Sequence, residues 1–316
     1  MKQFIIGLLL TGLFFNVANA QPYSFKIVPL GVHGGSDESN LSSYMIAPIK
    51  SNNYVCLDAG TLYSGIRVAI QNKVFHGSIN SVLRTCIKGY LITHAHLDHT
   101  AGMILNSPDD TVKSIYGLPS VLNIIRDKYF TWTSWANFAN EGDEPHLNKY
   151  HYSRLDTALQ TEIANTEMQV TAYSLSHGAN YESTAFLVNH DNKYILYLGD
   201  TGPDSIEHSS KLQSLWEHVA PLIISKKLKA ILIEVSFPNE QPDSQLFGHL
   251  TPKWLREELN ALSKITGKSA LKNFPIVVTH IKPISNNERK IKRQLSAAND
   301  LKLKFIYPRQ GVKLKF

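Results

Sequence analysis

The chain has 316 residues, of which 43% are hydrophobic and 18% charged, with 32 Lys+Arg against 26 Asp+Glu. These proportions exclude a disordered chain, a collagen and a coiled coil. The net charge of +6 is spread out, with some clustering over 289–304, and reads as a solvated face rather than a nucleic-acid patch.

Residues 1–20 are organised like a secretory leader. Lys2 gives a positive start, 4–15 is a short apolar run, and Ala18-Asn19-Ala20 is an A-x-A cleavage site. The run is short for a span of about 20 residues, so cleavage is expected rather than a membrane anchor. No Cys follows the site to carry a lipid. The expected mature chain is one domain, 21–316, secreted or periplasmic and free of the membrane. Cys56 and Cys86 are the only cysteines, and neither belongs to a CxxC pair. A cysteine zinc site is therefore not expected. In an exported protein the two either join or stay as buried thiols.

Strand-like segments open the mature chain at 25–32, 43–49 and 53–57, rich in β-branched and aromatic residues between Gly, Asn and Ser. The apolar run 89–93 reads as a buried strand, 112–116 as another, and 120–129 as a helix. A strand is expected over 168–175, then a hairpin over 183–198 turning at His190-Asp191-Asn192. Residues 229–235 form a buried strand. Thr251 followed by Pro252 starts a helix over 251–262. A strand over 275–279, a basic helix over 286–298 and strands over 303–307 and 311–316 complete the chain. Strands followed by helices in both halves predict an α/β fold.

The polar motifs fall just after strands: Thr93-His94, Ser176-His177, Gly199-Asp200, Val235-Ser236 and Thr279-His280. Ligand sites gather beyond the carboxyl ends of strands in such folds. The strongest motif is THAHLDHTAG, 93–102, with His94, His96, Asp98 and His99 within six residues. Gly102 lets the following helix approach closely. With His177, Asp200 and His280 these supply five imidazoles and two carboxylates, enough for two ions sharing one carboxylate. Such donors suit zinc, iron or manganese, whereas magnesium or calcium takes oxygen alone. Two ions so held activate water for hydrolysis.

This pattern resembles the metallo-β-lactamase superfamily, and the resemblance covers most of the mature chain. It implies a four-layer αββα sandwich with the site at one edge of the two sheets. It implies His94, His96 and His177 on one metal, Asp98, His99 and His280 on the second, and Asp200 bridging. Within the superfamily, THAHLDHTAGM, LSHGANYESTAFLV, YILYLGDTGPDS, AILIEVSFPN and FGHLTP, with Gly34-Gly35 and Ser42-Ser43-Tyr44, are similar to class II 3',5'-cyclic-nucleotide phosphodiesterases. That family hydrolyses cyclic AMP, and often cyclic GMP, to the 5'-monophosphate, and some members are periplasmic. The expected partner is a small cyclic nucleotide and the expected cofactors are two divalent ions, zinc foremost. Homodimers occur in the superfamily, though nothing here requires one.

Glu234 and His249 resemble a pair that assists the leaving group in tRNase Z, a related branch. A carboxylate-held imidazole suits protonation of an alkoxide. The expected catalytic residues are thus Asp98, His249 and Glu234, with Asp98 also a ligand. Seven aromatic residues from Tyr129 to Tyr152 either cover the site and stack on a base or close a core or a dimer interface, the second being the plainer reading. His33, Asn180, Glu182, Ser183 and Thr184 carry no assigned role. A β-lactamase usually lacks the bridging Asp, and a lactonase has no use for the Glu234–His249 pair. Another secreted phosphodiesterase or nuclease is the nearest rival.

Overall fold

The computed structural model describes residues 23–178 and 181–316. The expected leader and Asn180 lie outside the described residues. The chain begins with β1 (Phe25–Gly31), β2 (Ser43–Pro48), β3 (Tyr54–Leu57), β4 (Ile87–Leu91), β5 (Lys113–Gly117) and β6 (Tyr150–Arg154). There follow β7 (Gln160–Glu162), β8 (Gln169–Ser176), β9 (Glu182–His190), β10 (Lys193–Leu198), β11 (Leu228–Glu234), β12 (Pro275–Thr279), β13 (Lys304–Ile306) and β14 (Leu314–Lys315). They form two seven-stranded sheets, ordered β14-β1-β2-β3-β4-β5-β6 and β13-β12-β11-β10-β9-β8-β7.

The alternation of side chains across each strand sets the layers. In β11, Ala230 and Leu232 enter the core between the sheets, while Ile231 and Ile233 face the outer helices. Ile195 and Tyr197 of β10 point inward and Leu196 and Leu198 outward in the same way. Both faces are buried, which is why these strands read as continuous apolar runs. Each fully buried Leu or Ile contributes roughly 1.5–3 kcal/mol. Helices Lys211–Ile224 and Pro252–Thr266 cover the second sheet through Trp216, Val219, Leu255 and Leu259. Helix Tyr63–Gln71 and the helix Leu97–Asn106 cover the first through Ile66 and Met103. The result is the expected αββα sandwich.

Local signals explain the boundaries. The Thr251 hydroxyl accepts from the Trp254 N–H and Pro252 occupies the first turn, so Pro252–Thr266 starts where the sequence places it. Asp191 and Asn192 turn the β9–β10 hairpin with φ of 48° and 57°. The strand expected at 89–93 starts two residues earlier, at Ile87, because Gly89 pairs with Ser114 inside the β4–β5 ladder rather than ending it.

Most of the aromatic segment closes the core. Phe130 and Tyr150 are fully buried, and Trp135 and Phe138 pack on the same cluster. Both cysteines are free thiols. Burial in β3 pushes the Cys56 thiol up. Among the described residues, no helix is long and apolar enough to cross a membrane.

Candidate metal centre

Strands β3, β4 and β5 run parallel, and so do β10, β11 and β12, while β8 runs with β10 because both are antiparallel to β9. Their carboxyl ends deliver Asp58, His94, His177, Asp200, Glu234 and His280 to one place. Thr184 Oγ1 donates to the Thr93 carbonyl at 2.8 Å, and Tyr197 Oη donates to Asp58 at 2.7 Å, fastening the second sheet to the first there.

Every residue of the two expected ligand sets converges. Donor atoms of His94, His96 and His177 lie within 4.8 Å of one another, as do those of Asp98, His99, Asp200 and His280. His96 Nδ1 is 3.1 Å from His94 Nε2 and 3.3 Å from His177 Nε2. His280 Nε2 is 3.1 Å from His99 Nε2 and 3.2 Å from Asp98 Oδ2. Asp200 stands between the sets. Its Oδ1 is 3.3 Å from His99 Nε2, and its Oδ2 is 3.2 Å from His280, 3.8 Å from His94 and 3.9 Å from His177.

The other ring nitrogens make the donor set fit metal ions. His99 Nδ1 donates to Asp58 Oδ2 at 2.8 Å, and His177 Nδ1 donates to the Gly248 carbonyl at 2.8 Å. His280 Nδ1 meets Ser236 Oγ at 2.9 Å, and His94 Nδ1 meets Thr93 Oγ1 at 3.0 Å. In these four rings one nitrogen is thereby occupied by the protein, and the other faces the centre. His96 is exposed, so the centre opens to solvent on that side.

At three of the imidazoles the electrostatics agree with a ligand role. Burial, with help from the neighbouring imidazole of His99, pushes His94 well down, and likewise lowers His96. Burial takes His177 to about 4. These three rings are therefore neutral at pH 7, as a ligand must be. Burial opposes ionisation of Asp98 and Asp200, but His99 and His280 outweigh it and hold both below the carboxylate range. Burial also opposes the charged form of His99, yet Asp200, Asp58 and Asp98 prevail and raise it.

Next to the ligands sits the other expected pair. His249 Nδ1 donates to Glu234 Oε1 at 2.8 Å and lies 3.7 Å from Asp200. Glu234 Oε2 accepts from Ser236 Oγ at 2.7 Å and from the Ser236 N–H at 3.1 Å. Burial works against the imidazolium, but Glu234 and Asp200 outweigh it and raise the His249 pKa. Asp98, also half-buried, accepts from the Gly35 N–H at 3.0 Å. Gly34 is required here, since a Cβ on it would lie 2.1 Å from the His280 ring. The expected close approach of Gly102 also holds, with a Cβ there 2.7 Å from the Ala59 carbonyl. His33 turns aside to Asp37 and Asn40, and Ser183 and Thr184 belong to β9.

Sequence reasoning missed Asp58, fully buried beneath both sets. It accepts from His99 Nδ1 and, at 2.9 Å, from Thr93 Oγ1, the hydroxyl that meets His94. Its placement directly after a strand was the available signal. Its φ of 56°, like the 55° of His280, is backbone strain that the packed centre maintains. Asp58→Asn replaces one acceptor oxygen by a donor that confronts other donors. Metal affinity is expected to fall about 10–100-fold with the fold intact, measurable by competition with a chromophoric chelator. Unchanged affinity in a folded variant would deny Asp58 that supporting role.

The family model of the class-II cAMP phosphodiesterases matches residues 25–311. The chain is 41% identical over 312 residues to a 3',5'-cyclic-nucleotide phosphodiesterase of Aliivibrio fischeri, with 94% of each chain covered. The crystal structure of unliganded yeast PDE1 matches with a TM-score of 0.82 at 22% identity, over 93% of this chain and 100% of that one. A metallo-β-lactamase fold protein from Bacillus subtilis matches with a TM-score of 0.61 at 13% identity, over 92% and 99%. These two structural likenesses establish the fold, and the family match over nearly all of the described sequence establishes more: the chain belongs to the class-II cAMP phosphodiesterases.

Proposed function

We propose that the protein hydrolyses 3',5'-cyclic AMP, and cyclic GMP by the same route, to the nucleoside 5'-monophosphate. The observation that carries this reading is the pairing of a double ligand set, shared through Asp200, with an imidazole held by a buried carboxylate. The family and the name of the Aliivibrio relative point the same way. His94, His96 and His177 would hold one divalent ion, and Asp98, His99 and His280 a second, with Asp200 shared. Imidazole-rich donors favour zinc. When bound, the two ions supply Lewis-acid charge for the phosphate and lower the pKa of water toward about 7.

The chain's own residues do the rest. Glu234 fixes His249 through Nδ1, which leaves Nε2 to carry a proton. His249 protonates the departing 3'-oxygen as its bond to phosphorus breaks. Ser236 holds the second oxygen of Glu234, so the carboxylate cannot turn away from the imidazole. Asp98 and Asp200 remain ionised through their imidazole neighbours. We further propose that residues 1–20 export the protein and that it acts in the periplasm or outside the cell. The leader-like pattern of residues 1–20 supports this.

The test is turnover of cyclic AMP by metal-loaded protein, with the product identified by chromatography. Formation of 5'-AMP, abolished by a chelator and restored by added zinc, is the expected outcome. Turnover that persists in chelator, or release of 3'-AMP, would overturn the reading.

A further inference from the structure

A cavity of about 920 Å³ adjoins the candidate centre, with Ser176, Gly178, Tyr181, Glu182, Glu207 and Lys211 among its walls. It is tied to the ligands on two sides. Ser176 and Gly178 flank His177, and the Ser176 carbonyl accepts from the Gly202 N–H at 3.0 Å, two residues beyond Asp200. The cavity wall is thus continuous with the backbone that carries His177 and Asp200.

The cavity has a flat wall and an acceptor with spare capacity. The Tyr181 ring lies parallel to the His96 ring, with centroids 4.6 Å apart and 10° between planes. Glu182 is already engaged: it accepts from Ser120 Oγ at 2.5 Å and from Ser174 Oγ, and lies 3.9 Å from Lys211 Nζ. Glu207 is not. Among the described residues, its carboxylate takes one long bond, 3.3 Å from Ser176 Oγ. A carboxylate has about four acceptor positions, so most of those on Glu207 are open. Its Oε1 lies beside Gly202, 2.2 Å from where a Cβ on that residue would stand.

Phe247 stands where the same wall meets the His249 loop. Its carbonyl oxygen is 4.0 Å from the Cβ position of Gly178. It has φ of 54°, and its side chain is 69% exposed. A large ring held in left-handed backbone and left uncovered is unfavourable on both counts. Stacking against another ring offsets that cost.

We infer that, given the proposed cyclic-nucleotide activity, this cavity is the nucleobase subsite, with Tyr181 and Phe247 contacting the base and Glu207 accepting from its N–H groups. Guanine presents N1–H and an exocyclic N–H side by side to the two oxygens. Adenine presents an N–H beside a ring acceptor, which repels a carboxylate. Glutamine shifts the match, because its amide pairs with the adenine N–H and ring nitrogen but offers the two guanine N–H groups only one acceptor in place of two.

The test compares cyclic AMP, cyclic GMP and methyl 4-nitrophenyl phosphate, a diester without a base, on metal-loaded wild type, Glu207→Gln, Phe247→Ala and Phe247→Tyr. Glu207→Gln is expected to raise the cyclic AMP to cyclic GMP ratio of kcat/KM about tenfold while the base-free diester is unchanged. Phe247→Ala is expected to raise KM for both cyclic nucleotides about tenfold, with Tyr restoring it. An unchanged ratio, or equal losses on all three substrates, would make Glu207 a support of the Gly202 turn and overturn the assignment. Wild type that cleaves only the base-free diester would sink the underlying activity itself, before any variant is made.

Discussion

Asp200→Asn is expected to lower kcat/KM on cyclic AMP by about a thousandfold or more and to leave the protein short of its full metal content. The side chain keeps its size, so the buried position is not emptied. What changes is charge and donor count. Asp200 places one oxygen 3.3 Å from His99 Nε2 and the other 3.2 Å from His280 Nε2, with His94 and His177 beyond. An amide offers one oxygen to this cluster and turns an N–H toward the rest. It also removes the negative charge that offsets burial of two cations. Metal analysis of the purified variant, with its melting temperature and kcat/KM, separates the possibilities. A folded variant with two ions and wild-type turnover would show that the shared carboxylate is dispensable. A variant that binds both ions but turns over slowly would place its effect on the reaction rather than on assembly.

The metal ligands were legible because four stand together within six residues, across the entry to helix Leu97–Asn106, and the others each follow a strand that announces itself by apolar content. That local signal survives folding, since the strands are buried on both faces and their carboxyl ends all reach one edge. Asp58 shows where the signal runs out. It follows the strand read at 53–57 just as Asp200 follows β10, but it lies 35 residues before Thr93 with no histidine beside it. Only the pairing of β3 with β4 brings it beneath His99. Helix Lys211–Ile224 was hidden for a different reason. It carries Pro221 inside, and its N-cap residue Ser210 makes no side-chain bond; the first-turn N–H groups are taken instead by Ser209 and by Asp204 from the preceding turn, and Trp216 and Val219 pack against the sheet. Helix Tyr63–Gln71 likewise lacks a side-chain cap and contains Gly65, which lies against the Leu30 backbone. Strands β6 and β7 are partly exposed and polar, so their pairing with β5 and β8 is decided by neighbours rather than by their own pattern. Most of the aromatic side chains at 129–152 entered a core, while the exposed Phe247, two residues before His249, is a position that carries no periodic signal.

His249→Ala is expected to slow hydrolysis of cyclic AMP by about 10²–10⁴-fold while both ions stay bound. The separation follows from the geometry. His249 Nδ1 is committed to Glu234 Oε1 at 2.8 Å, so Nε2 is left to carry a proton, and His249 belongs to neither expected ligand set. A ribose 3'-oxygen is a poor leaving group and needs that proton. A 4-nitrophenolate leaves well without it. The ratio of wild-type to variant rates should therefore be large for cyclic AMP and small for methyl 4-nitrophenyl phosphate. Glu234→Gln should give the same pattern at smaller amplitude, because the amide still holds the ring but no longer favours the imidazolium. Equal losses on both substrates would mean that His249 supports the centre as a whole, through its contact with Asp200, rather than serving the leaving group. Loss of an ion from the variant would point the same way, since Glu234, His249 and His280 also form a compact donor group. Metal content measured beside the two rates thus decides whether the carboxylate–imidazole pair moves a proton or holds a metal.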